Sequence, residues 1–418
     1  MHFAFRAGAL ALLCASVIAP AGAESLDFVA AAQRTLQAHP DTRRLAAELE
    51  AARARTAAAE LRPPLELGVE LENFAGTGAA SGVDVAEATL SLGATLERAA
   101  RRGARVDAAQ RAVDLLTVDQ RVLALDRLAE TGRRFVAVAV AQQRVTLARV
   151  ALAQADTTLA LIRPRVAAAR SPRTELLNAE IERSQAEAEL TIAERDLAAA
   201  QAGLGAQWAA PDERPTVRFA LLEFPEPADR TELRRALETT PDLERYATEA
   251  RLADARVALA RAQATPDWRW SLGVRRLQES RDQALVVGFT VPLGNARRAD
   301  PEIRERRAEV AQVDAAAAAR RVELERLLIA ELERLHGLHA RLLAITDVQL
   351  PRAREARELT ERGYRIGRFP YRELSAASRQ VIDLELARLE AASQYHLTRV
   401  EVERLTGARI DLLSGTTP

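Results

Sequence analysis

The sequence predicts a mainly α-helical protein with a β-barrel part, built from two tandem helix-strand-strand-helix units. Three observations lead there. Apolar residues make up 48% of the 418 residues but aromatic ones only 4%, and Ala, Leu, Arg and Glu dominate, a mixture that favours long helices over a mixed globular core. Landmarks recur in one order: Pro40-Asp41 returns as Pro241-Asp242, Leu67-Gly68-Val69 as Leu272-Gly273-Val274, Leu92 to Leu96 as Val287 to Val291, and Ser171 to Leu176 as Phe369 to Leu374. The offsets are 201, 205, 195 and 198 residues, the mark of a duplicated unit. Within each unit, two short segments change from helical to alternating periodicity.

Residues 1–23 read as a secretory signal. Arg6 precedes an apolar run from Ala7 to Ile18, and Ala21-Gly22-Ala23 is a small-residue cleavage site. Cys14, the one cysteine, lies inside that run, and Met1 is the one methionine. A chain beginning at Glu24 therefore has no disulfide and no soft metal ligand. Leu12-Leu13 before Cys14 lacks the small residue of a lipidation site, which argues against a lipoprotein. The first unit is expected over 24–210, a proline-rich linker over 211–228, the second unit over 229–407 and a tail over 408–418.

The first strand follows from Leu65, Leu67, Val69 and Leu71 alternating with Glu66, Gly68, Glu70 and Glu72. Leu90, Leu92, Ala94 and Leu96 form the second. Trp268, Trp270, Leu272 and Val274 give the third, and Leu285, Val287, Phe289, Val291 and Leu293 the fourth. Loops are expected over 73–83 and 276–282. The glycines Gly76, Gly78 and Gly82 fall between two strands and lack phosphate-loop spacing, so they read as a loop at the barrel end.

The remainder reads as helix. No proline occurs from Arg98 to Arg163, and helix over that stretch spans about 100 Å, too long for a globular core. The stretches 302–350 and 371–405 are similar, and such helices are stable when packed side by side as in coiled coils. All 59 basic residues are Arg, against 59 acidic ones scattered among them, which excludes a clustered nucleic-acid footprint. No segment after the signal is expected to reach the roughly 18 apolar residues of a membrane helix, so entry into a membrane must use strands. Four strands per chain cannot close, because outer-membrane barrels need about eight or more and open edges in lipid leave backbone groups unpaired. Oligomerisation is required; three chains give a trimeric 12-strand transmembrane barrel.

The repeat order, the signal, the paired strands and the phrase Glu361-Arg362-Gly363-Tyr364-Arg365-Ile366-Gly367-Arg368-Phe369-Pro370-Tyr371-Arg372-Glu373-Leu374 together resemble the TolC-type outer-membrane efflux channels over essentially residues 24–407. Within them, Ala59 to Pro64 and Glu70 to Gly76 look like the CzcC-like, cobalt-zinc-cadmium branch. The resemblance implies a homotrimer in the outer membrane with a long periplasmic tunnel. Its partners would be a periplasmic adaptor protein and an inner-membrane RND transporter, and no cofactor is implied. It also implies adaptor contacts at the hairpin tips, Ile366, Gly367 and Arg368 on one and Ser171 and Pro172 on the other. Glu175 and Glu373 match tip carboxylates that can concentrate cations around a pore or simply favour a helix N-terminus. A second acidic position is occupied by Asn178 and Ala376, which departs from the pattern. Tyr364 matches an entrance-bolting tyrosine, with Glu175 or an arginine such as Arg365 or Arg368 as partner; a plainly packed tyrosine is the other reading.

Glu66, Glu70 and Glu72 point to a wet lumen if Leu65, Leu67 and Val69 face lipid, with Arg269 and Arg275 opposite. Trp268 and Trp270 read as interfacial anchors. His336 and His339, three apart on a helix, are the one weak pair of metal candidates, although a duct should not hold ions tightly. No catalytic constellation is present. A passive heavy-metal duct is therefore expected, against a drug-efflux or type I secretion duct on the same fold, or a periplasmic coiled-coil adaptor with one hairpin.

Overall fold

The computed structural model describes residues 25–407; the expected signal with Cys14, and the tail 408–418, lie outside the described residues. In order along the chain come α1 (Phe28–Ala38), α2 (Pro40–Glu60), β1 (Leu65–Glu72), β2 (Glu87–Leu96), α3 (Ala99–Ala167) and α4 (Arg173–Gly205). The second unit repeats the pattern with α5 (Arg230–Glu238), α6 (Pro241–Gln263), β3 (Trp268–Leu277), β4 (Gln283–Thr290), α7 (Asn295–Leu343), α8 (Leu350–Arg365) and α9 (Tyr371–Thr406). The duplication extends to the caps. Asp27 accepts from the Ala30 amide at the start of α1, Asp229 accepts from Thr231 and Glu232 at the start of α5, and Pro40 and Pro241 open α2 and α6, where a missing N–H costs nothing.

The four strands form one antiparallel sheet in the order β1-β2-β3-β4. The two units meet at β2 and β3, where Leu90 faces Val274 and Leu92 faces Leu272. Among the described residues, β1 and β4 each keep one edge without a partner strand. Strand boundaries shift slightly from expectation: Arg276 and Leu277 extend β3, and β4 stops at Thr290 before Pro292, since proline cannot donate to the ladder.

Helix α3 runs 69 residues without interruption, about 100 Å at 1.5 Å per residue. It continues through Pro164 into its last turn. Its counterpart is divided: α7 passes into a π-helical segment, Ala344–Gln349, before α8. Pro351, in the first turn of α8, has no N–H to offer the preceding turn, and the ladder widens there. One expectation is corrected. α3 holds an 18-residue window of mean hydropathy 1.3, apolar enough by length and composition to cross a membrane. The same helix places Phe135, Val136 and Val138 in the largest core, all fully buried.

That core is a girdle where the scarce aromatic residues gather. Phe28, Phe135, Phe219, His396 and Tyr395 follow one another edge-to-face, and Phe224 continues the chain from Tyr395. The connecting stretch 211–228 takes part: Leu26 donates to Thr216 O and Arg218 to Leu26 O, while Val217, Leu221 and Phe224 pack into the core. Further along, Arg404 joins α9 to α3 and α6 through Asp126 and Asp242, both at 2.5 Å.

Candidate functional site: the sheet and the hairpin tips

The sheet has two chemically distinct faces. Leu65, Leu67, Val69 and Leu71 of β1 share one face with Leu90, Leu92, Leu272, Val274, Leu285, Val287 and Phe289, and all of these are exposed. Eleven large apolar side chains on one uncovered face far exceed the scattered exposure of a water-soluble surface. Trp268 lies on this face, edge-to-face with Phe289 at 5.5 Å and under the Arg98 guanidinium. Glu66, Glu70 and Glu72 are on the other face.

That polar face is layered. Arg275 donates to Thr89 Oγ1 at 2.9 Å and pairs with Glu87 and Glu72, each at 2.8 Å, while Arg269 stands 3.8 Å from Glu66 at the opposite end. Between these charges lies a waist of small residues. Ser91 presses on Gly68 and Gly273, and Ser271 on Gly288, where an added Cβ would come within 2.5 Å of Ser271 Oγ. Alternation identifies the faces from sequence; the Ser–Gly waist needs the register.

At the other end the two helical hairpins close by the same device. Arg170 N donates to Arg165 O at 2.8 Å and Ala169 N to Val166 O; 198 residues later Arg368 N donates to Gly363 O at 2.8 Å and Gly367 N to Tyr364 O. Both are Schellman closures, with Ala169 and Gly367 at positive φ. Pro172 and Pro370 then precede α4 and α9, which places Glu175 and Glu373 in their first turns. Ile366, Gly367 and Arg368 are fully on the surface, as is Pro172, with Ser171 partly covered.

Beneath the tips, Tyr364 is 2% exposed and its hydroxyl donates to Glu175 Oε2 at 3.3 Å. Burial raises its pKa, so it stays a donor. The arginine that reaches Tyr364 is Arg165 of the other hairpin, 4.8 Å from the ring centroid. Its Nη1 also donates to the Tyr364 and Arg365 carbonyls, both at 3.2 Å, capping α8. Arg368, beside Tyr364 in sequence, lies instead over Phe369 at 6.0 Å, and Glu373 is exposed. Arg165 escapes sequence reasoning because its counterpart in the repeat is Gly363.

His336 Nδ1 donates within its own helix, to Leu332 O at 2.8 Å, and His339 packs on Phe224 and Tyr395. Among the described residues no group of three or more His, Cys, Asp or Glu is placed to hold a metal ion.

A single sheet with one greasy and one charged face, joined to two helical hairpins, the first opened by the 69-residue α3, is the protomer fold of the TolC-type outer-membrane channels. In sequence the chain is similar to the cobalt-zinc-cadmium resistance protein CzcC of Cupriavidus metallidurans, 24% identical over 322 residues that cover 76% of this chain and 77% of that one. In structure it is similar to CusC, known from crystal structures of folding and transmembrane channel formation, with TM-score 0.77, 14% identity and coverage of 94% and 95% of the two chains. It is also similar to the outer membrane protein VceC of Vibrio cholerae, with TM-score 0.73, 18% identity and coverage of 91% and 96%. No protein-family model matches the sequence. These likenesses bear out the resemblance carried by the repeat and by Glu361 to Leu374, including its CzcC-like branch.

Proposed function

We propose that the chain is the outer-membrane channel of a tripartite RND-type efflux system, passing divalent heavy-metal cations from an inner-membrane transporter and a periplasmic adaptor to the exterior. The carrying observation is the sheet: among the described residues its apolar face has no cover and its two edges have no partner strand. Three copies close twelve strands, put the Leu and Val face in lipid and enclose Glu66, Glu70, Glu72, Arg269 and Arg275 in a wet lumen. The hairpins continue the duct into the periplasm. There, Ile366, Gly367, Arg368, Ser171 and Pro172 form the exposed surface for the adaptor, and Tyr364 with Glu175 holds the entrance closed.

The duct works by geometry alone. At the wall Arg275 pairs with Glu72 and Glu87 and Arg269 stands beside Glu66, so a passing ion meets a charged surface whose carboxylates are largely engaged. The metal cargo rests on the similarity to CzcC; with Met1 and Cys14 the one methionine and the one cysteine, the wall of the duct offers a passing ion no soft ligand. Deleting the gene and measuring tolerance to zinc, cadmium and cobalt against a drug panel tests it. Metal sensitivity with unchanged drug tolerance is expected; drug sensitivity alone would move the reading to a drug-efflux duct.

A further inference from the structure

α4, which meets α8 through Glu175 and Tyr364, meets α9 about two turns further from the tip. The Tyr371 hydroxyl donates to Glu182 Oε2 at 2.7 Å and Ser375 Oγ to Glu182 Oε1 at 2.5 Å. Tyr371 and Ser375 stand four residues apart, on one face of α9, and are 3% and 4% exposed. Glu182 follows Glu175 by seven residues, so the two carboxylates lie on nearly the same face of α4. The rings of Tyr364 and Tyr371 meet edge-to-face at 6.4 Å inside one apolar cluster with Leu159, Ile162, Ala179 and Leu374. Two tyrosine–glutamate rungs therefore span the same core, and they are unequal. The outer one is a single 3.3 Å bond at the tip. The inner carboxylate accepts two short bonds from buried hydroxyls, and hydrogen bonds to a charged acceptor are the stronger kind. Burial and Glu182 together hold the Tyr371 phenol well above its ordinary range, so it remains a donor.

We propose that Glu182, gripped by Tyr371 and Ser375, is the fixed rung of the entrance: it clasps α4 to α9 and sets the level beyond which the tips move when Tyr364 releases Glu175. The inference rests on the gating role given to Tyr364 above.

Purified trimers in planar bilayers, together with limited trypsin cleavage in detergent, test it. The chain has no lysine, so trypsin reads the exposed tip arginines 365, 368 and 372. Tyr371→Phe with Ser375→Ala is expected to raise open probability and tip cleavage about tenfold, a factor equal to about 1.4 kcal/mol, and by more than Tyr364→Phe does. Glu182→Gln, which keeps one oxygen acceptor, should fall between wild type and the double variant. An unchanged trimer band and helical circular dichroism show that the fold survives. If Tyr364→Phe opens the channel and the double variant matches wild type in both readouts, the fixed rung is overturned and the gate stands. If cleavage rises in the double variant while Tyr364→Phe leaves conductance unchanged, the clasp stands and the gating role of Tyr364 is overturned.

Discussion

Arg165 and Tyr364 meet across the two hairpins, the guanidinium over the ring and its Nη1 on the carbonyls that end α8. One side chain thereby closes the helix of the opposite hairpin, covers a buried phenol and adds positive charge beside the carboxylate the phenol touches. Arg165→Gln should loosen the tip by about 1–3 kcal/mol, the worth of a lost charged hydrogen bond plus the ring contact. Arg165→Lys should restore less than half of this, because an ammonium cannot stack and fork at once. Hydrogen exchange over 360–372 measures both.

Tyr364→Phe removes the bond to Glu175 while leaving the packing of the ring. A several-fold rise in single-channel open probability is expected, with the trimer's thermal stability nearly unchanged. Unaltered currents would remove Tyr364 from the gate.

Gly363 is fixed by its neighbour Phe369, whose Cε2 would lie 2.6 Å from an added Cβ. Gly363→Ala should displace the ring and cost about 1–3 kcal/mol. Adding Phe369→Ala should recover most of it, a coupling that a double-mutant cycle in thermal unfolding measures.

His396 should make the girdle acid-sensitive. Burial, with Arg399 adding to it, lowers its pKa from 6.5 to about 4, while Nε2 meets Leu221 O at 3.0 Å. The unfolded chain thus takes up the proton first as pH falls. The stability contributed by the neutral ring is complete above about pH 6.5 and is lost as pH falls from there to about 4. The loss is about 3 kcal/mol at 1.36 kcal/mol per pH unit. Melting temperature against pH, compared with His396→Asn, should show the acid-side slope flattened in the variant.

The faces of the sheet should tolerate charge in opposite ways. Val287→Arg sets a cation on the lipid side and should cost about 2–4 kcal/mol per chain near mid-membrane, seen as loss of assembled trimer from outer-membrane fractions. Glu70→Arg, on the polar face, should assemble normally and shift ion selectivity toward anions.

The strands were legible because a period of two with one apolar face has few other meanings; Leu65 to Leu71 marked β1 almost to the residue. The tips were legible through the duplication, since Ser171-Pro172 and Phe369-Pro370 reveal each other. Contacts between the units were not. Arg165, Glu182 and the Ser91–Gly273 waist depend on how two long helices or two strands are phased against each other, and local periodicity says nothing of phase. The π-helical break was hidden for a different reason: Pro351 announces an irregularity, but whether the helix kinks, ends or widens depends on its neighbours. The membrane-like window of α3 was missed because its alanines and valines are interleaved with glutamine and arginine rather than gathered in one run.

Reconstitution of the purified protein into planar lipid bilayers tests the duct most directly. The account predicts a detergent-solubilised trimer that inserts and passes cations in discrete steps, more often open in Tyr364→Phe. A monomer soluble without detergent, or trimers that pass no current even when Tyr364 and Tyr371 are both changed to Phe, would contradict it.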